Sequence, residues 1–201
     1  MKKLFILCLA VSAIFSCNRA ETGFSQEERR LIHSIDSIMR VLTIEDPADL
    51  QTLRAVSRDF SVEALLSEDY ARLSELMVAT VTHPSQDGVG IAGPQVGLNR
   101  RIVAVQRFDK TGEPFEVYAN VRIVWLSDSL AYGPEGCLSV PDRRGNVLRS
   151  QQIVIEYADL ASLSHSCDDI PMARDTVSGF TAVIFQHEID HLEGVLYIDR
   201  L

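Results

Sequence analysis

Gln186-His187-Glu188-Ile189-Asp190-His191 is the most informative stretch of this chain. It lies within residues 181–192, whose length and apolar spacing predict a helix. Histidines at i and i+4 share one helix face, one turn apart, so both imidazoles reach a single metal ion. Glu188 projects from the same turn, where a carboxylate can take a proton from water on that ion. A catalytic metal site needs a third protein ligand and one open position. Ten residues follow His191, and Tyr197 stands where some motifs of this kind place a further histidine. The third ligand is therefore expected upstream.

Cys137 is the strongest candidate, because a thiolate suits a soft or borderline metal. It lies in Gly133-Pro134-Glu135-Gly136-Cys137-Leu138-Ser139-Val140-Pro141, where glycine and proline imply a rigid, close-approaching backbone rather than a filler cysteine. His165 and Cys167 come next. Further out, residues 101–105 and 115–118 read as strands joined by a turn at Thr111-Gly112, and 123–126 and 152–157 as two more. Ser25 and Glu28 form a capping-box pattern ahead of Leu31, Ile32, Ile35, Ile38, Met39 and Leu42, which predicts one amphipathic helix broken at Asp46-Pro47. A second helix starts near Ser67, with Leu73, Leu76, Met77 and Val81 on one face, and ends at His83-Pro84. His33 and His83 read as solvent-facing. Residues 159–178 look polar and irregular, and 195–198 a short strand or coil. Strands in the middle with helices at both ends predict an α+β domain.

The bulk numbers agree. The 201 residues are 46% hydrophobic and 23% charged, a soluble globular balance. A net charge of -9 repels phosphate and argues against a nucleic-acid partner. The one local basic cluster, Arg143, Arg144 and Arg149, reads as a solvated loop. Four cysteines, Cys8, Cys17, Cys137 and Cys167, are too few and scattered for a disulfide framework. Lys2 and Lys3, the apolar run 4–15 and Ser16-Cys17 resemble a lipoprotein export signal. The expected organisation is a signal peptide over 1–17, a linker and the start of the N-terminal helix over 18–38, and a catalytic domain over 39–201. Lipidation of Cys17 would place the protein in the cell envelope.

Three segments resemble the signature motifs of the peptide deformylase family, in the family's order: Gly88-Val89-Gly90-Ile91-Ala92-Gly93-Pro94-Gln95, then Glu135-Gly136-Cys137-Leu138-Ser139, then Gln186 to His191. The resemblance implies a compact α+β fold with antiparallel strands around the central HExxH helix. It implies one divalent ion on Cys137, His187 and His191 with water as the fourth ligand, commonly Fe2+, replaceable by Zn2+, Ni2+ or Co2+. It implies removal of the formyl group from N-terminal formyl-methionine. Glu188 would act as base and then acid. Gln95 and the backbone N–H of Leu138 would serve as donors to the developing oxyanion, and Val89, Gly90 and Gly136 would hold the substrate backbone. Val183 and Ile184 would help line the methionine pocket. A monomer is expected, meeting the membrane only through its lipid.

Three features depart from the family pattern. Gly93 replaces a usual alanine, which is expected to loosen its loop. The 159–178 stretch looks longer than the family's hairpin. The export signal sits uneasily with an activity on nascent chains in the cytoplasm. Two other readings compete: an envelope metallopeptidase with the same water activation, and a lipoprotein that keeps the metal without catalysis. Retention of Glu188 and Gln95 argues against the last.

Overall fold

A computed structural model describes residues 23–167 and 169–201. The signal reading over 1–17, with Cys8 and Cys17, lies outside them. The predicted motif helix runs Gly179–Leu192 (α5), and it is buried along most of its circumference, with Ala182, Ile184, Phe185, Ile189 and Leu192 among the covered residues. Such a helix needs cover on several sides, and three antiparallel sheets supply it.

The first sheet orders β1 (Gly90–Ala92), β2 (Ile102–Gln106) and β3 (Phe115–Ala119) side by side. It lies between two helices. Ile91, Ile102 and Ala104 pack with Leu73 and Met77 of α4 (Glu68–Val81), while Val103 and Val105 pack with Phe185 and Ile189 of α5. Cover on both faces explains why β2 is nearly continuous in hydrophobic residues rather than alternating. The second sheet orders β4 (Arg122–Leu126), β7 (Gln152–Ala158) and β8 (Met172–Ser178), and Ile153, Ile155 and Val177 close the α5 core from the other side. The third is a hairpin of β5 (Leu130–Cys137) and β6 (Val140–Ser150). The fold is the expected α+β arrangement of antiparallel strands around the motif helix.

Several sequence expectations are corrected. The capping box at Ser25 and Glu28 forms, with both reciprocal hydrogen bonds present, but the helix α1 (Gln26–His33) stops well short of Leu42. Other elements take the backbone groups that a longer helix would use. Thr80 Oγ1 accepts from Met39 N at 2.8 Å, and Arg72 Nη2 donates to the Ile35 carbonyl at 2.6 Å. Asp46-Pro47 does not merely break a pattern; it starts α2 (Pro47–Leu53), with Asp46 capping Ala48 N and proline in the first turn, where its missing N–H costs nothing. The short α3 (Val62–Leu65), capped by Ser61, was also not foreseen. The supposedly irregular 159–178 stretch ends in β8. Residues 197–200 form a 3-10 turn rather than a strand or coil.

The basic cluster is no solvated loop. Arg143 and Arg144 are exposed on β6, but Arg149 on the same strand is buried. Gly93 does not loosen its loop either. A Cβ there would sit 2.6 Å from the Arg100 carbonyl oxygen and 2.7 Å from that of Leu98, so glycine permits a closer packing than alanine would.

Candidate metal centre

α5 carries His187, Glu188 and His191, and the β5–β6 hairpin brings Cys137 to them. Cys137 pairs with Val140 across the hairpin, so Leu138 and Ser139 form its tip. The extended segment after α1 ties the site loops together: Leu42 N donates to the Gln95 carbonyl at 2.8 Å and Ile44 N to that of Ser139 at 2.9 Å. Gln186 clamps α5 to β6, donating to the Ser150 carbonyl at 2.8 Å and accepting from Ser150 N at 3.1 Å.

Ligand atoms of Cys137, His187 and His191 all lie within 4.8 Å of one another. Cys137 Sγ is 3.2 Å from His191 Nε2. A tetrahedral ion with bonds of about 2.3 Å to sulfur and 2.0 Å to nitrogen spaces such atoms by roughly 3.5 Å. The donor set and its spacing therefore fit one divalent cation. His165 and Cys167, the other sequence candidates, are elsewhere; Cys167 packs against the core of α1 and α4.

The electrostatics are set by a chain of charges that sequence reading missed. His187 Nδ1 donates to Glu135 Oε2 at 2.8 Å, which leaves Nε2 for the metal. Arg149 donates to both Glu135 oxygens, at 2.7 and 3.0 Å, and to Asp190 at 2.6 Å. Arg200 closes the chain on Asp190. Burial would raise the Glu135 carboxyl, but His187 and Arg149 hold it down at about 2. Burial would lower His187, but Cys137 and Glu135 push it up to about 10. His191 falls well below the ordinary histidine range, through burial and the charge of His187. Tyr197, which stands where a further histidine was looked for, stacks on the His187 ring at 5.9 Å and 24°. Glu135 precedes Gly136-Cys137 and Asp190 lies inside the motif, so their positions were visible in the sequence; their pairing through Arg149 was not.

Arg149→Leu would leave Glu135 and Asp190 buried beside each other without their shared cation. Glu135 keeps His187 and Asp190 keeps Arg200, so the expected loss of folding stability lies at or below about 3 kcal/mol, the low end for breaking a buried pair. Denaturant unfolding of the variant beside the unaltered protein measures it, and a loss within experimental error would remove Arg149 from this role.

Glu188 lies against the backbone of β1. A Cβ on Gly90 would meet Glu188 Oε1 at 2.5 Å, so only glycine admits the carboxylate there. Its Oε2 is buried without a hydrogen-bond partner. Burial pushes this carboxyl up to about 7, against the pull of the His187 charge. Gln95 Oε1 accepts from Ala92 N at 2.8 Å, which turns its amide nitrogen toward Ser139 Oγ at 3.2 Å and Cys137 Sγ at 3.6 Å. A cavity of about 830 Å³ opens over these groups, and Val89, Gly90, Gly136, Leu138, Val183 and Ile184 are among its walls. The structure thus places Gln95, Leu138, Val89, Gly90, Gly136, Cys137, His187 and Glu188 around one cavity, with His191 buried beside Cys137.

The sequence model of the family described as polypeptide deformylase matches residues 38–201. The chain belongs to the peptide deformylase family. This deformylase is 36% identical over 172 residues to the peptide deformylase of Leptospira biflexa, a match spanning 82% of this chain and 88% of that protein. It is 34% identical over 165 residues to peptide deformylase 2 of Vibrio cholerae, spanning 82% and 87%. Its fold is similar to the class I type b peptide deformylase of Acinetobacter baumannii with Met-Ala-Ser bound, at 31% identity and a TM-score of 0.70, covering 83% of this chain and 100% of that one. Deformylases are metal-dependent hydrolases, and among the described residues Cys137, His187 and His191 form a cluster that could hold such an ion.

Proposed function

We propose that this deformylase hydrolyses the formamide of peptides and proteins that begin with formyl-methionine, using a divalent ion held by Cys137, His187 and His191. The observation that carries the reading is the placement of Glu188, unpartnered at Oε2, beside that ligand set in a cavity walled by a free strand edge. When bound, the ion supplies Lewis acidity that activates a water and polarises the formyl carbonyl.

The chain's own groups do the rest. Glu188 takes the proton of the attacking water on its carboxylate and returns it to the leaving amine. Its carboxylate lies beside the ligand set at the cavity, where it can make both transfers. Gln95 Nε2 and the Leu138 N–H donate to the carbonyl oxygen as charge builds there. Among the described residues β1 has a partner on one side only, so Val89 and Gly90 can bind the substrate backbone as an added strand, with Gly136 of the hairpin also lining the cavity. Phe180, Val183 and Ile184 offer apolar surface to the methionine side chain. The Acinetobacter enzyme binds Met-Ala-Ser, which supports a peptide beginning with methionine as the ligand here.

The test is formate release from a formyl-Met-peptide by metal-loaded protein, with internal peptide-bond cleavage followed in parallel. Formate without cleavage is expected; cleavage without formate would favour the metallopeptidase reading. Gln95→Leu should lower kcat by roughly 10²–10³-fold and leave metal content unchanged, because it removes one oxyanion donor and no ligand. An unaltered kcat would take Gln95 out of that role.

We also propose that the protein acts as a monomer tethered in the envelope by a lipid on Cys17. Lys2-Lys3, the apolar run 4–15 and Ser16-Cys17 support this. In an oxidising compartment ferrous iron on a thiolate is vulnerable, whereas zinc has no redox chemistry. Protein taken from its native membrane should then carry mainly zinc or another air-stable ion. Membrane fractionation with metal analysis checks both points, and a soluble form retaining Met1, or a membrane form rich in iron, would sink the proposal.

A further inference from the structure

Away from the metal, a second cluster of charges surrounds Arg107, the residue after β2. Its side chain is 2% exposed, and three carboxylates converge on it. Nε and Nη2 donate to the two oxygens of Asp109, at 2.8 and 2.7 Å. Nη2 lies 2.9 Å from Asp175 on β8, and Nη1 lies 3.5 Å from Glu116 on β3 while donating to the Tyr118 hydroxyl. The guanidinium also sits 5.7 Å from the centre of the Phe185 ring on α5. Burying such a group is costly compared with filling the same space by an apolar side chain. The pairing with Asp109 fixes the short turn 107–109, and that turn meets the first turn of α5 at two residues, Phe180 and Thr181.

The first contact is Phe108, whose ring packs on Phe180 at 5.3 Å and 46°. Phe180 stands in the first turn of α5 and lines the cavity with Val183. The second contact is Asp109, whose carboxyl is held low by Arg107 first and, in smaller part, by the Thr181 side chain. Ser178, the N-cap of α5, makes no side-chain cap of its own. Asp109 therefore brings a negative group to the first turn of the metal-binding helix from a different element, where the helix dipole favours it.

We propose that Arg107 is a positioning residue for the pocket that takes the substrate's first side chain. By holding Asp109 against Thr181 and Phe108 against Phe180, it sets the wall formed by Phe180 and Val183, and with it which apolar side chains fit. The proposal rests on the deformylase reading of the site and adds a selectivity device to it.

The test uses the full chain, metal-loaded, with Arg107→Met, Arg107→Lys and Phe108→Ala. Formate release is measured on formyl-Met, formyl-Leu and formyl-Phe peptides, together with metal content. For Arg107→Met, KM for the formyl-Met peptide is expected to rise about tenfold with kcat little changed, since pocket fit rather than chemistry is altered. The preference for methionine over phenylalanine should narrow, metal content should stay at that of the unaltered protein, and Arg107→Lys should recover part of the KM. Phe108→Ala leaves the ion cluster in place and should shift KM and selectivity the same way, which keeps the idea testable if Arg107→Met does not fold. Unchanged KM and selectivity in the folded variants would overturn it. So would a uniform fall in kcat on every substrate with the preference intact, the signature of a merely structural role. Formate release by the unaltered protein separates these failures from failure of the deformylase reading itself.

Discussion

Glu188→Ala should bind its metal ion as fully as the unaltered protein and release formate with kcat lower by roughly 10²–10⁴-fold, the range expected when a positioned general base is removed. Glu188 is not among the three clustered ligands, so its loss should not empty the metal centre. Nor should it weaken the fold. Glu188 lines the substrate cavity, so removing its carboxylate takes away no tie between elements of the core. The space left opens into the substrate cavity rather than into packed core. Metal analysis, thermal unfolding and formate release on one preparation separate the two roles. Substantial residual turnover would mean that another group moves the proton. Loss of metal alongside turnover would mean that Glu188 is a ligand.

Cys137→Ser should fail at the earlier step. A serine hydroxyl does not ionise near neutrality, so the substitution removes the anionic ligand and leaves two imidazoles to hold the ion. Changes to groups that merely orient metal ligands cost about 10–100-fold in affinity, and loss of a ligand itself should exceed that. After dialysis the variant should retain only a small fraction of the metal held by the unaltered protein, and its turnover should fall in proportion. The hairpin should persist, because its register depends on backbone pairing from Leu130↔Ser150 to Cys137↔Val140 rather than on the thiol. Full occupancy at unchanged affinity would show that the thiolate is not the third ligand.

These expectations differ in where they could first be read. The motif helix was legible because i and i+4 spacing is a local property: once residues 181–192 are helical, His187 and His191 share a face wherever the helix is placed. The α1 cap was legible for the same reason, since Ser25 and Glu28 satisfy each other's backbone within one turn. The α4 start follows from Ser67, and its end at Val81 comes two residues before the His83-Pro84 stop expected from the proline. Gln95, Cys137 and Glu188 were found through their motifs, which carry the family resemblance, and not through any contact between them.

The β5–β6 hairpin was missed because Gly133, Pro134 and Gly136 look unlike a strand. Proline is tolerated there because the two-stranded sheet leaves β5 an open edge. The length of α1 was overestimated because Ile35, Ile38, Met39 and Leu42 repeat at helical spacing, yet distant groups on α4 and the Gln95 loop take the backbone bonds after Ser34. Arg149 read as a surface charge because nothing near it in sequence reveals that Glu135 and Asp190 flank it in space. By itself, then, the sequence determined the candidate ligand types, the helix that presents two of them and the carboxylate between them, all set by bonds within a few residues. Only the tertiary structure decided the partners of Glu135, the close fit of Glu188 against Gly90 and the carboxylates that converge on Arg107. A buried charge is tolerated only where opposite charges from other elements converge on it, and that convergence exists nowhere along the chain until it folds.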